Sequence, residues 1–230
     1  MTTSAPPLFV RALGSDFDRL HPRLQERFSV GLAGGRACVG RGVMHRVWHG
    51  PRYLAPFLAV GALRNILVPE TGENVFFTIE NVPYRDAYGR ETLTFVRTFA
   101  FPRRLRRFDA TMVYSPRRGG IVDYLGTHQH LATDLHPRVD DSGALVIESG
   151  RHRLREGPVD VGVPDVLAGR ALVRESYDDA AGCFRIGVEV SNPLVGPLFG
   201  YEGWFTCTYP EAAAYRPRAR LRPVREEQRL

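Results

Sequence analysis

The chain has 230 residues and a mass of 25.8 kDa, and all 31 of its Lys+Arg positions are arginine, set against 25 Asp+Glu for a net charge of +6. With no lysine there is no Schiff-base aldolase, no pyridoxal-phosphate enzyme, no P-loop NTPase and no protein kinase of the usual kind. At 43% hydrophobic and 24% charged residues the composition is that of a globular chain able to bury a core, and an all-β barrel often uses 200 or more residues as one unit.

In chain order, Ser15 followed by Asp18 reads as a capped helix start, and Phe17, Leu20, Leu24 and Phe28 recur at helical spacing across a break at Pro22. Residues 29–48 are glycine-rich and alternate loosely through Val39, Val43 and Val47, which predicts an early hairpin with bends. A second helix is expected between Gly50-Pro51 and Pro69, with Tyr53, Phe57, Val60 and Leu67 on one face.

From residue 75 the period becomes two. Val75, Phe77 and Ile79 turn at 86–89 into Leu93, Phe95, Arg97, Phe99 and Phe101. Three further hairpins follow: 108–114 into 121–122, 127–139 into 144–154, and 170–177 into 184–190, with a last strand at about 198–209. Residues 155–169 read as a crossover loop.

The fold class is therefore mainly β, a closed or nearly closed antiparallel barrel of about ten strands, calycin-like, with one or two N-terminal helices. It forms one domain over 1–214, followed by a basic arginine-rich tail at 215–230. The tail holds six arginines, Arg216, Arg218, Arg220, Arg222, Arg225 and Arg229, against Glu226 and Glu227, so a net +4 of the +6 lies there as a solvated extension. With the charge so placed, and with aromatics in core-facing alternation instead of a basic stripe, nucleic acid is not the expected partner.

Cys38, Cys183 and Cys207 are odd in number and form no C-x-x-C pair, so neither a disulfide framework nor a thiolate zinc site is expected. The N-terminal residues have no leader-like pattern, and the longest apolar run, 54–63, is half the length of a membrane span, which leads to the expectation of a cytoplasmic protein. Gly40-Arg-Gly42 lacks the third glycine of a dinucleotide loop, since His45 stands in its place. No cofactor and no metal are expected.

Two features carry chemistry. His128, His130 and His136 share a strand face with Asp134 if alternation holds, while Leu131 and Leu135 point the other way; turned inward, the histidines supply acid/base groups, and turned outward they form a polar exterior. Arg97 stands between Phe95 and Phe99 on an inward face, where it requires Asp109, Asp123 or an anionic ligand group as partner.

Several segments together, LHPRLQERF at 20–28, RTF at 97–99, RFDATM at 107–112, GIVDYLG at 120–126 and NPLVGPLFGYEGWF at 192–205, resemble a bacterial domain-of-unknown-function family. The resemblance covers roughly 15–209. It implies members that occur alone or fused after an NAD(P)-binding domain of the short-chain-dehydrogenase or saccharopine-dehydrogenase-like kind, and no transferable activity.

The expected function is binding of an apolar or amphipathic small molecule, polyketide-, terpenoid- or lipid-like, with cofactor-independent cyclase, isomerase or lyase chemistry as its enzymatic form. The catalytic candidates are His128, His130 and Asp123. Arg97, Asp109, Tyr114, Tyr124, Tyr201, Phe95, Phe99 and Met112 are the ligand-binding candidates. The alternative is a non-catalytic substrate holder or partner of a separate reductase, with a homodimer left open.

Overall fold

A computed structural model describes residues 5–164, 166, 168–215 and 220–230. Its secondary structure begins with α1 (Leu8–Leu13), a 3-10 turn (Gly14–Arg19) and α2 (Pro22–Phe28), followed by β1 (Cys38–His49), a 3-10 turn (Arg52–Leu54) and α3 (Ala55–Ala62). The remaining elements are strands: β2 (Gly72–Asn81), β3 (Pro83–Arg85), β4 (Glu91–Phe101), β5 (Arg104–Ser115), β6 (Gly120–Leu125), β7 (Leu131–Val139), β8 (Leu145–Glu156), β9 (Val159–Val163), β10 (Arg170–Asp178), β11 (Cys183–Asn192) and β12 (Gly196–Thr208).

The sheet runs β10-β11-β12-β1-β2-β4-β5-β6-β7-β8, and β8 pairs back onto β10 through Leu145↔Glu175 to Glu148↔Leu172, closing a ten-stranded antiparallel barrel. Closure leaves none of the ten with an unpaired edge. β3 adds to β4, and β9 adds to β8, outside the ring.

Two expectations are corrected here. Residues 29–48 do not form a hairpin of their own: β1 is one long strand between β12 and β2, and the glycines serve its close packing, since a Cβ on Gly42 would lie 2.0 Å from the Trp204 carbonyl oxygen. The 155–169 segment is not wholly loop, because β9 lies within it.

α2 starts where the chain chemistry says it should. Pro22 opens α2, with the His21 side chain accepting from the Arg23 backbone N–H, and Leu24, Arg27 and Phe28 are the buried face. This segment and α1 cover the barrel end where β1, β4, β6, β8 and β11 begin. His21 donates its backbone N–H to Gly143 O in the β7–β8 turn, and its ring stacks on Tyr177. The opposite end is covered by residues 50–69, anchored by Gly50 N–H to Leu198 O and Thr127 N–H to Arg64 O.

Inside, one side is filled by rings. Phe77, Phe99, Tyr201 and Phe205 approach at centroid distances of 5.0 to 6.1 Å, in the tilted and edge-on arrangements aromatic pairs prefer. The other side is not filled.

The tail is docked where it is described. Leu230 packs on the outer-face cluster Val113, Val122, Tyr124 and Ala132, Tyr124 donates its hydroxyl to Arg229 O, and Arg90 reaches the carbonyls of Glu227 and Gln228. Arg216 and Arg218 lie outside the described residues.

Candidate functional site

Between the aromatic side and the strands β5 to β8, β10 and β11 lies a cavity of about 180 Å³. An apolar void of roughly 150 Å³ already holds a benzene-sized molecule. Its walls are aliphatic and aromatic, including Phe95, Phe108, Met112, Leu135, Ile147, Ile186 and Val188, with Phe28 at the α2 end and Phe57 at the α3 end. The polar exceptions are Arg97, Asp123, Thr133, Ser149, His152 and Glu175.

Alternation places the first two. On β4, Arg97 follows the inward parity of Phe95 and Phe99, and on β6 Asp123 lies opposite Met112 of β5. Arg97 is 8% exposed and Asp123 5%. The Arg97 guanidinium lies over the Phe108 ring at 4.7 Å and the Phe95 ring at 5.6 Å, but its Nε and Nη1 have no hydrogen-bond partner, nor has Asp123 Oδ1. The partner that the sequence demanded for Arg97 is therefore missing at contact distance. Neither Asp109 nor Asp123 pairs with it within 4.0 Å among the described residues.

Burial pushes the Asp123 carboxyl up to about 7, with the Arg97 charge pulling the other way. At neutral pH Asp123 is thus divided between acid and base, the condition suited to proton transfer. The folded-state value is above that of the unfolded chain, so the folded state holds more protons between about 4 and about 7, and stability falls as pH rises through that window. Asp123→Asn should flatten this dependence, measured as urea midpoints from pH 4 to 8. An unchanged slope would mean that Asp123 is hydrated.

Glu175 faces the cavity but is not free. Arg27 of α2 pairs with both of its carboxylate oxygens, and also donates to Asn81 Oδ1 at 2.8 Å and Cys38 Sγ at 3.0 Å. Cys38 and Cys207 bring their Sγ atoms within 3.3 Å, and all three cysteines are free thiols.

The remaining sequence candidates separate by position. Phe95 and Met112 line the cavity, while Phe99 and Tyr201 belong to the ring stack. Burial raises Tyr201 to about 12, and its hydroxyl has no partner. Tyr114 lies half-buried under the Arg11 guanidinium, 4.0 Å from its ring centre, where α1 closes the barrel. Asp109 and Tyr124 have outward parity. Asp109 pairs with Arg107 at 2.7 Å and is raised to about 6 by burial, and Tyr124 lies beneath the tail.

His128 and His130 are not on a strand. They occupy the β6–β7 connection outside the barrel, with rings stacked at 5.6 Å. Burial and the nearby Arg64 hold His128 below the ordinary histidine range. His130 meets Arg64 at 3.0 Å, Glu156 at 2.5 Å and Arg225 at 3.3 Å. β7 turns Leu131, Thr133 and Leu135 to the cavity, which leaves His136 and Asp134 on the outer surface, where Asp134 pairs with Arg118.

The sequence candidates missed Thr133, Ser149, His152 and Glu175 at the cavity, and Arg27, which pairs with Glu175 behind it. His152 is 6% exposed and lines it, because β8 carries an extra residue where Thr133↔His152 is followed by Leu135↔Ser149. This bulge shifts the inward parity from 145, 147 and 149 to 152, which counting by twos does not reveal. Gly150 marks it, since a Cβ there would lie 2.5 Å from His136 Nε2. Arg27 had a visible signal, three residues after Leu24 on the buried face of α2.

Among the described residues no cluster of His, Cys, Asp and Glu could hold a metal ion, and no helix is long and apolar enough to cross a membrane. In comparisons with known proteins, a family model described as "Domain of unknown function (DUF4166)" matches residues 20–205. The chain is also 31% identical over 190 residues, 83% of its length and 92% of the relative's, to "Uncharacterized protein YndH" of Bacillus subtilis (strain 168). No solved structure matches. With most of its barrel inside that match, the chain belongs to the DUF4166 domain family.

Proposed function

We propose that this barrel binds a compact apolar or amphipathic molecule in its cavity, with the molecule's polar or anionic end against Arg97 and Asp123. The observation that carries this reading is a pair of buried ionisable groups with unfilled hydrogen-bonding capacity facing a mostly apolar void. A fold does not keep such groups for stability, since each unmet buried polar atom costs about 1–3 kcal/mol. A ligand that accepts from Arg97 and shares a proton with Asp123 fills both needs. Glu175 is already neutralised by Arg27, so Arg97 gives the cavity its remaining positive charge. This favours a carboxylate, enolate or phenolate end over a cationic one.

The catalytic form of this reading rests on Asp123. A carboxyl near 7 can take a proton from, or return one to, a ligand carbon beside a carbonyl, while Arg97 steadies the charge that develops on oxygen. No cofactor is needed for an isomerisation or cyclisation of this kind. His128 and His130 stand outside the cavity, so in this form they are not the acid or base.

Native mass spectrometry of the purified protein, followed by solvent extraction, tests the reading. We expect a small apolar molecule to travel with the wild-type chain and to be lost from Arg97→Met. If the wild-type chain carries no molecule, and takes none up from a panel of medium-chain acids and aromatic acids, the reading is wrong.

A further inference from the structure

The barrel end covered by residues 50–69 carries an apolar surface that the fold does not use. α3 reads APFLAVGA, without one polar side chain, yet Leu58 is its only buried residue. Tyr53, Val60 and Leu63 are 67%, 66% and 79% exposed, and Phe57, which also lines the cavity, is half exposed. The face that the sequence places toward a core thus points mostly to solvent. Leu105, at the start of β5, and Leu194, in the β11–β12 turn, are exposed at the same end, at 68% and 72%. Contiguous apolar surface of this kind marks an interaction site.

The loops around it are rich in arginine. Residues 50–69, 101–108 and 192–201 contain no carboxylate, and the first two carry Arg52, Arg64, Arg103, Arg104, Arg106 and Arg107. Of the carboxylates nearest this end, Glu70 is held by Arg104 and Arg106, Asp109 by Arg107, Asp160 by Arg153, and Glu156 by His130, with Glu73 left exposed. Arg52 and Arg103 are exposed. The opposite end mixes both signs, with Asp16, Asp18, Asp140, Asp141, Asp178 and Asp179 beside Arg19, Arg23, Arg117 and Arg118. The carboxylate-free segments and the exposed apolar side chains thus lie at the same end of the barrel.

We infer that this end docks on an anionic lipid bilayer, with α3 lying in the interface and Phe57 at the junction between bilayer and cavity. An apolar helix face between arginines is the chemistry of interfacial binding, in which apolar side chains enter the acyl boundary and the guanidinium groups meet lipid phosphates. A second copy of this chain is the poorer occupant, because two arginine-rimmed faces would repel. The inference deepens the proposed function: a ligand that dissolves in lipid would enter and leave through the bilayer, not through water.

The test is co-sedimentation with large vesicles of phosphatidylcholine alone and of phosphatidylcholine mixed three to one with phosphatidylglycerol. The wild-type chain is expected to bind the anionic vesicles at least tenfold more tightly than the neutral ones, and to weaken as salt rises. Val60→Glu combined with Leu63→Glu should abolish binding while leaving the circular dichroism spectrum and unfolding midpoint unchanged, since both side chains are solvent-exposed. Arg52→Gln combined with Arg103→Gln should remove most of the anionic preference. Arg97→Met should bind vesicles as the wild type does, which separates this inference from cavity binding. No vesicle binding, binding indifferent to the glutamate variant, or a dimer that the glutamate variant dissolves without any vesicle binding would each overturn it.

Discussion

Arg97→Met is expected to leave the barrel as stable as the wild type or more stable, by up to about 3 kcal/mol, while eliminating ligand capture. Arginine at this position is buried with two nitrogens unpartnered, and its gain is the stacking over Phe108 and Phe95, roughly 1–2 kcal/mol in a desolvated setting. Against this stands the cost of keeping a charge out of water. Replacing such a charge by an apolar side chain of similar length is often neutral or stabilising by about 1–4 kcal/mol. Asp123 does not become a stranded charge in the variant, because losing Arg97 removes what pulled its carboxyl down, and it stays protonated to higher pH. Urea unfolding at pH 6 measures the difference. A loss above about 2 kcal/mol would make Arg97 a structural residue and remove the main argument for a ligand.

Glu175→Ala should act in the opposite sense and cost about 3–5 kcal/mol. It removes the carboxylate from a buried pair and leaves the Arg27 guanidinium with only Asn81 and two thiols, against the rings of Phe28 and Phe205. The pair ties α2 to β10, so its loss should also loosen the closed end of the barrel and raise hydrogen exchange in 22–28. A cost under about 1 kcal/mol would show that water reaches Arg27 there. The contrast between the two arginines is the useful one: both are buried, but Arg27 has its partners and Arg97 does not.

Much of the barrel was legible because long stretches of its strands alternate. β4 reads Leu93, Phe95, Arg97, Phe99 and Phe101 inward, and all five are buried, although Thr92, Thr94 and Val96 on the outer face are covered as well. The pairing β5–β6 and the pairing β10–β11 also follow turns written in the sequence. Closure itself was not written locally, since β8–β10 and β1–β12 join strands with no short turn between them.

The site divides along the same line. Arg97, Asp123, Phe95 and Met112 share an inward parity and meet at one cavity, whereas Asp109 and Tyr124 are one residue out of phase with it. Parity fails at His152, where the β8 bulge intervenes. It also has no meaning at His128 and His130, because a histidine-rich stretch with period two can equally be a connection. The helix faces were legible only as faces: the periodicity of 53–67 gave an apolar side without saying whether protein or something else covers it.

The central claim, that Arg97 and Asp123 await the polar end of an apolar ligand, is tested most directly by calorimetric titration of the wild-type chain and Arg97→Met with decanoate and with decanol. The account predicts saturable binding of decanoate to the wild type, at least tenfold tighter than decanol, and no such preference in the variant. Equal affinity of the two compounds for the wild type, or an unchanged preference in Arg97→Met, would contradict it.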